Sequence, residues 1–233
     1  MGLETYDDTG AIFLKISHGQ ICQTSKTERD GYKRIDGTLR DGTEYTKWIK
    51  PYKAVSGYVT KMEWYDREYN GRKFRGWNIH IDADGTPCSL DIAFDSRINS
   101  RWMKVAENVD FRKPVRFSAW TDRKTDTTAF NVQQDGVSVP QKYTRENPHD
   151  LPEPIQRASG KWDYGAQEDF LCQRMLDVVI PTIDAAQALR PLRNQQVDTD
   201  PSGNKGLEDN DPYRDAPDPA LSEPPDDLED APF

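Results

Sequence analysis

Apolar residues recur along this chain at two spacings, and the change between them marks its elements. From Gly57 to Phe94 the period is two. Trp77, Ile79 and Ile81 alternate with Phe74, Asn78 and His80, and Leu90, Ile92 and Phe94 recur across residues 88–94, as in strands that bury one face. Asn70-Gly71 and Asp84-Gly85 separate these runs, and both pairs favour tight hairpin turns. Between Ser96 and Glu107 the spacing becomes helical. Ile98, Trp102, Val105 and Ala106 fall on one side, and Asp95 or Ser96 is the cap. Period two returns after Pro114, where Val115, Phe117 and Ala119 oppose Arg116 and Trp120. Residues 127–132 form a further strand that ends at Asp135-Gly136.

Three hairpin-linked strands, a helix and two more strands is the order of an OB-fold. The pattern therefore predicts a mainly β protein built on an OB-fold-like five-stranded antiparallel barrel. Another small antiparallel barrel or sandwich is the alternative. Ahead of it, residues 11–16 and 20–23 read as short strands around His18-Gly19. Residues 25–42, with Asp30-Gly31, Asp36-Gly37 and Asp41-Gly42, read as loops and short hairpins. The expectation is an N-terminal hairpin extension on the barrel's edge or rim.

Pro140, Pro148, Pro152 and Pro154 mark a connector. In residues 166–189, Phe170, Leu171, Met175, Leu176, Val179 and Ile183 recur at helical spacing, with Pro181 expected to kink the helix or start a new one. That stripe packs on the barrel or on a second subunit. Beyond Pro191 periodicity fades into Pro, Asp, Asn, Gly and Ser, a composition that cannot bury enough apolar surface to order itself. The predicted division is 1–154 for the barrel with its extension, 155–193 for the helical segment and 194–233 for a disordered acidic tail.

Charge sharpens that division. The net charge is −9 overall, but residues 194–233 carry twelve acids against Lys205 and Arg214, so the rest of the chain sums to +1. Residues 15–75 hold 14 Lys or Arg against 8 acids. The low isoelectric point belongs to the tail, so it does not exclude a nucleic-acid surface on the body.

Unpaired bases expose π-faces along a charged backbone, and a protein indifferent to sequence meets them with rings interleaved with cations. Residues 61–77 supply both densely. Trp48, Tyr65, Phe74 and Trp120 are the candidate stacking rings, while Lys50, Lys61, Arg72, Lys73, Arg75, Arg116 and Arg123 are the candidate phosphate contacts. Trp64 and Tyr65 point to opposite faces, so one of the two is a platform, and Tyr65 shares its face with Lys61. Phe74 and Trp120 either bind or pack beneath the N-terminal hairpin. Trp77 and Trp102 belong to the core.

The chain ends Asp226-Asp227-Leu228-Glu229-Asp230-Ala231-Pro232-Phe233. This tip resembles that of bacterial and phage replicative single-stranded DNA-binding proteins, which close on an acidic run followed by an aromatic residue. The likeness is close over these eight residues and looser over the body. It implies that Asp226, Asp227, Glu229, Asp230, Pro232 and Phe233 recruit a polymerase, helicase or nuclease, and that the body binds single-stranded DNA in replication, recombination or repair. The tail's negative charge would also compete with DNA for the basic groove. The resemblance places the protein in the cytoplasm, that of the host if it is phage-encoded; the N-terminal extension and the helix after Pro154 depart from the bacterial pattern and argue against its usual tetramer, with a homodimer as the alternative.

Other chemistries fit less well. Cys22, Cys88 and Cys172 are odd in number, and neither they nor His18, His80 and His149 show metal-ligand spacing, so no metal or other cofactor is expected. Asp82, Asp84, Asp91 and Asp95 suggest a metal-dependent nuclease, but Asp82 and Asp84 flank a turn, Asp91 faces away from its strand's apolar residues and Asp95 is a natural helix cap, and the chain is not read as an enzyme. No apolar run is long enough to span a bilayer. A protein-binding adaptor built on an OB-like barrel would explain the tail equally well.

Overall fold

The computed structural model describes residues 11–17, 19–38, 42–69 and 71–190. The backbone of Tyr69 and Arg72 is included, but their side chains are not. The predicted tail and its tip, residues 194–233, lie outside the described residues, as do His18, Arg40, Asp41 and Asn70.

The chain builds β1 (Ile12–Ser17), β2 (Gln20–Ser25), β3 (Lys33–Thr38) and β4 (Glu44–Tyr52). Next come β5 (Ala54–Tyr69), β6 (Arg72–Ala83) and β7 (Thr86–Ala93), then α1 (Arg97–Ala106). β8 (Val115–Asp122), β9 (Thr127–Gln134) and β10 (Val137–Ser138) follow. A small hairpin of β11 (Ile155–Gln156) and β12 (Trp162–Asp163) leads into α2 (Gly165–Arg174), a π-helical turn over Met175–Val179 and α3 (Ile180–Ala188). The fold is mainly β with a C-terminal helix.

Local chemistry explains much of this. Asp84 and Gly85 both take positive φ, 51° and 82°, as a two-residue hairpin turn demands. Ser96 caps α1, its hydroxyl accepting from the Asn99 amide at 3.1 Å. Trp77, Ile79, Ile81, Leu90 and Ile92 on the alternating strands are buried, and Trp102 and Phe117 meet edge to face at 5.5 Å between centroids. The helical stripe joins the same core through Leu171, Met175, Val179 and Ile183, while Leu176 stays exposed.

Two expectations need correction. The strands do not form a five-stranded barrel. They lie in one open ten-stranded sheet, in the order β10-β9-β8-β5-β6-β7-β1-β2-β4-β3. The reason lies at the edge of β7. β1 pairs there in parallel, Ile12 to Cys88 through Lys15 to Asp91, so β9 does not close the ring against β7. Instead the β1–β2 turn at Gly19 packs so closely on Thr121 of β8 that a Cβ would overlap it. The second correction concerns the N-terminal region. It contributes four strands rather than one added hairpin, because residues 33–38, within a stretch expected as loops and short hairpins, pair along their whole length with β4.

Candidate nucleic-acid interface

Strand register decides which side chains share a surface. On the side of β5, β6, β7 and β1 that faces away from the core, Lys61 sits opposite His80, His80 opposite Ser89, and Ser89 opposite Phe13. The next row sets Glu63 opposite Asn78, the one after it Tyr65 opposite Gly76, and the one beyond that Arg67 opposite Phe74. Lys61, Tyr65 and Phe74 therefore share one face. Phe13 is 71 % exposed and Phe74 50 %. The sequence pattern missed Phe13, because its neighbours Ile12 and Leu14 are apolar too and no alternation marks it.

The face is held by polar contacts. A Cβ at Gly76 would come within 2.9 Å of Tyr65 Cζ, so only glycine lets the phenol lie flat across β6. The Tyr65 hydroxyl donates to Asp91 Oδ1 at 2.7 Å, and burial, with help from that carboxylate, pushes its ionisation upward. Arg67 lies 5.7 Å from the Tyr65 ring centre. Glu63 receives Lys61 Nζ at 2.5 Å and His80 Nε2 at 3.0 Å, and these two donors, Lys61 first, hold its carboxyl below the usual range. Beside them the β5–β6 register slips between Val59 and Lys61. A depression of about 590 Å³ opens there, lined by Phe13, Thr60, His80, Pro87 and Ser89 among others.

The remaining predicted residues do not assemble there. Trp48 pairs with Ser25 and Arg34, and Lys50 with Gln23, so both lie on the opposite side of the sheet, the side of Ile21 and Tyr52. A second aromatic patch forms on that side. Lys50 Nζ sits 5.9 Å from the Tyr52 ring centre, and the Tyr52 and Tyr32 hydroxyls both donate to Gln23 Oε1, at 2.7 and 3.1 Å. Lys73 and Arg75 also leave the Phe74 face. Their register partners are Glu68 and Asp66, and Arg75 rests 4.7 Å from the Phe94 ring centre with Asp95 at 3.5 Å.

Arg116 and Trp120 occupy β8 on the side away from the core, Arg116 bonded to Gln133 at 2.8 Å and Trp120 38 % exposed. Arg190, two residues beyond α3, lies 4.0 Å from the Tyr58 ring centre, in the stretch of β5 between them and Lys61. Arg123 projects from the β8–β9 turn, which the Asp122 carboxylate holds through the Lys124 amide at 2.8 Å. The Arg72 side chain and the tip residues Asp226, Asp227, Glu229, Asp230, Pro232 and Phe233 lie outside the described residues.

Among the described residues no group of three or more His, Cys, Asp or Glu side chains converges as a metal site. Asp82 accepts from the Gly85 amide, Asp91 from Tyr65, and Asp95 faces Arg75. No described helix is long and apolar enough to cross a membrane. In comparisons with known proteins, no family model, curated protein or solved structure matches this chain.

Proposed function

We propose that the protein binds single-stranded DNA without sequence preference, in replication, recombination or repair, and that its acidic tip recruits a replication or repair protein. The observation that carries this reading is the pair of exposed rings, Phe13 on β1 and Phe74 on β6, on one polar sheet face that also carries Lys61, Tyr65 and Arg67 along β5. Exposed rings beside cations suit unpaired bases, and duplex DNA hides the surfaces they stack on. Further support comes from connectivity. β5, β6, β7, α1, β8 and β9 run in OB-fold order, and OB-folds hold oligonucleotides on the face of their second and third strands. β6 and β7 hold those places. The tail, at −10, competes for the same cations when DNA is absent.

A protein-binding adaptor is the second reading, and one observation favours it: the face also carries acids, Glu63 paired with Lys61 and Asp91 bonded to Tyr65. Titration of intrinsic Trp fluorescence with oligo-dT, with duplex as control, separates the two. Single-strand binding weakens with salt at a log–log slope of about −0.7 per neutralised phosphate. Phe13→Ala and Phe74→Ala each lose about 1–3 kcal/mol of affinity, and Trp48→Ala, on the other side of the sheet, loses less. An adaptor leaves the fluorescence unchanged by oligo-dT.

A further inference from the structure

The ten-stranded sheet ends at β3, and no described residue pairs with its outer edge. An unpaired strand edge is a template for another strand, and proteins blunt such edges with proline, bulges, very short strands or charged side chains. β3 reads Lys33-Arg34-Ile35-Asp36-Gly37-Thr38 and contains no proline. Its charges are mixed and ordered about the centre. Arg34 and Asp36 lie on the same side of the strand, both 59 % exposed, and pair with each other at 3.0 Å within the chain.

We infer that β3 pairs antiparallel with β3 of a second copy of this chain, about a two-fold axis through Ile35. In that register Arg34 of each copy faces Asp36 of the other, and Ile35, half-buried on the opposite side, packs against its own counterpart. Centring the axis on Arg34 or on Asp36 instead sets like charges face to face, which cross-strand pairs disfavour. The axis makes the contact isologous, so it joins two chains and then closes. The sheet's other end, β10, is two residues long and offers little for further growth. Six residues of strand bury well under the roughly 1,600 Å² of a standard stable interface. The dimer is therefore weak in free solution and is favoured where chains are held close together, as on a shared partner. The inference does not depend on what the Phe13–Phe74 face binds.

Sedimentation velocity of the full chain, from low to high micromolar, tests it directly. The wild type shows a monomer–dimer equilibrium. Arg34→Asp or Asp36→Arg alone weakens it about tenfold by placing like charges opposite each other, and the double swap restores it. A second measurement reads the register. Opposed residues of an antiparallel pair have Cα atoms about 4.5–5.5 Å apart, within disulfide reach. In a Cys172→Ser background, Ile35→Cys cross-links to itself under mild oxidation, whereas Lys33→Cys, well off the axis, does not. A monomer throughout the range overturns the inference, as does a dimer indifferent to the charge swaps or equal cross-linking at both positions.

Discussion

Glu107 shows how much one side chain holds together. Its side chain is 2 % exposed. It accepts from Arg174 Nε and Nη2 at 2.9 and 2.6 Å, from Lys142 Nζ at 2.5 Å and from the Tyr143 hydroxyl at 2.6 Å. It thereby ties the end of α1 to α2 and to the segment that follows β10. Arg174 is the main cause that lowers its pKa to about 2, with Lys142 and Tyr143 adding to it against the cost of burial. Burial, reinforced by Glu107, pushes the Tyr143 phenol up to about 12. A carboxylate whose pKa is depressed on folding stabilises fully above its ordinary value of 4.5, and that stability is lost as pH falls towards 2. Glu107→Gln therefore costs about 2–3 kcal/mol at neutral pH. Melting curves of wild type and variant, far apart at pH 7, converge as the pH is lowered through that window. This hub could not be read in the sequence, because Glu107, Lys142 and Arg174 are distant along the chain. The rings were partly legible. Alternation assigned Trp77 to the core and Phe74 to the opposite face, without deciding whether Phe74 binds or packs beneath the N-terminal hairpin, and it had no purchase on Phe13.

The C-terminal helix shows why one element takes its unusual form. Its core residues Leu171, Met175, Val179 and Ile183 recur every four positions. A regular α-helix turns every 3.6 residues, so such a row drifts around its surface. The π-helical turn over Met175–Val179 widens the helix where the drift would otherwise carry the row off the core. The same turn precedes Pro181, in the first turn of α3, whose ring nitrogen cannot donate. Thr182 Oγ1 donates to the Val178 carbonyl at 2.7 Å, and Gln187 Nε2 reaches the Val59 carbonyl at 2.7 Å to anchor α3 on β5. Met175→Ala removes a fully buried side chain and costs about 2–5 kcal/mol, whereas exposed Leu176→Ala changes stability by no more than about 0.5 kcal/mol. Urea denaturation of the two variants measures the contrast. The sequence located this helix by period, but the π turn only makes sense once the surface beneath it is known.

At the scale of the whole molecule, charge is divided unevenly along the chain. Residues 194–233 sum to −10 and the remainder to +1. If that negative charge competes with DNA, deleting residues 194–233 tightens oligo-dT binding at low salt. The gain fades as salt shortens the Debye length to about 8 Å near physiological strength. Fluorescence titrations of both proteins across salt check it, and equal affinities at low salt refute the competition. Periodicity, turn pairs, the start of α1 at Asp95 or Ser96 and the charge division were determined by the sequence alone, because each depends on residues that are neighbours along the chain. The partners of each strand, and so the face each ring occupies, were decided only by the tertiary structure. β1 settles against β7 from the far end of the fold, and the slipped register near Thr60 shifts which residues of β5 face outward. A shift of one residue reverses every side chain beyond it, and no local pattern records where such a shift occurs.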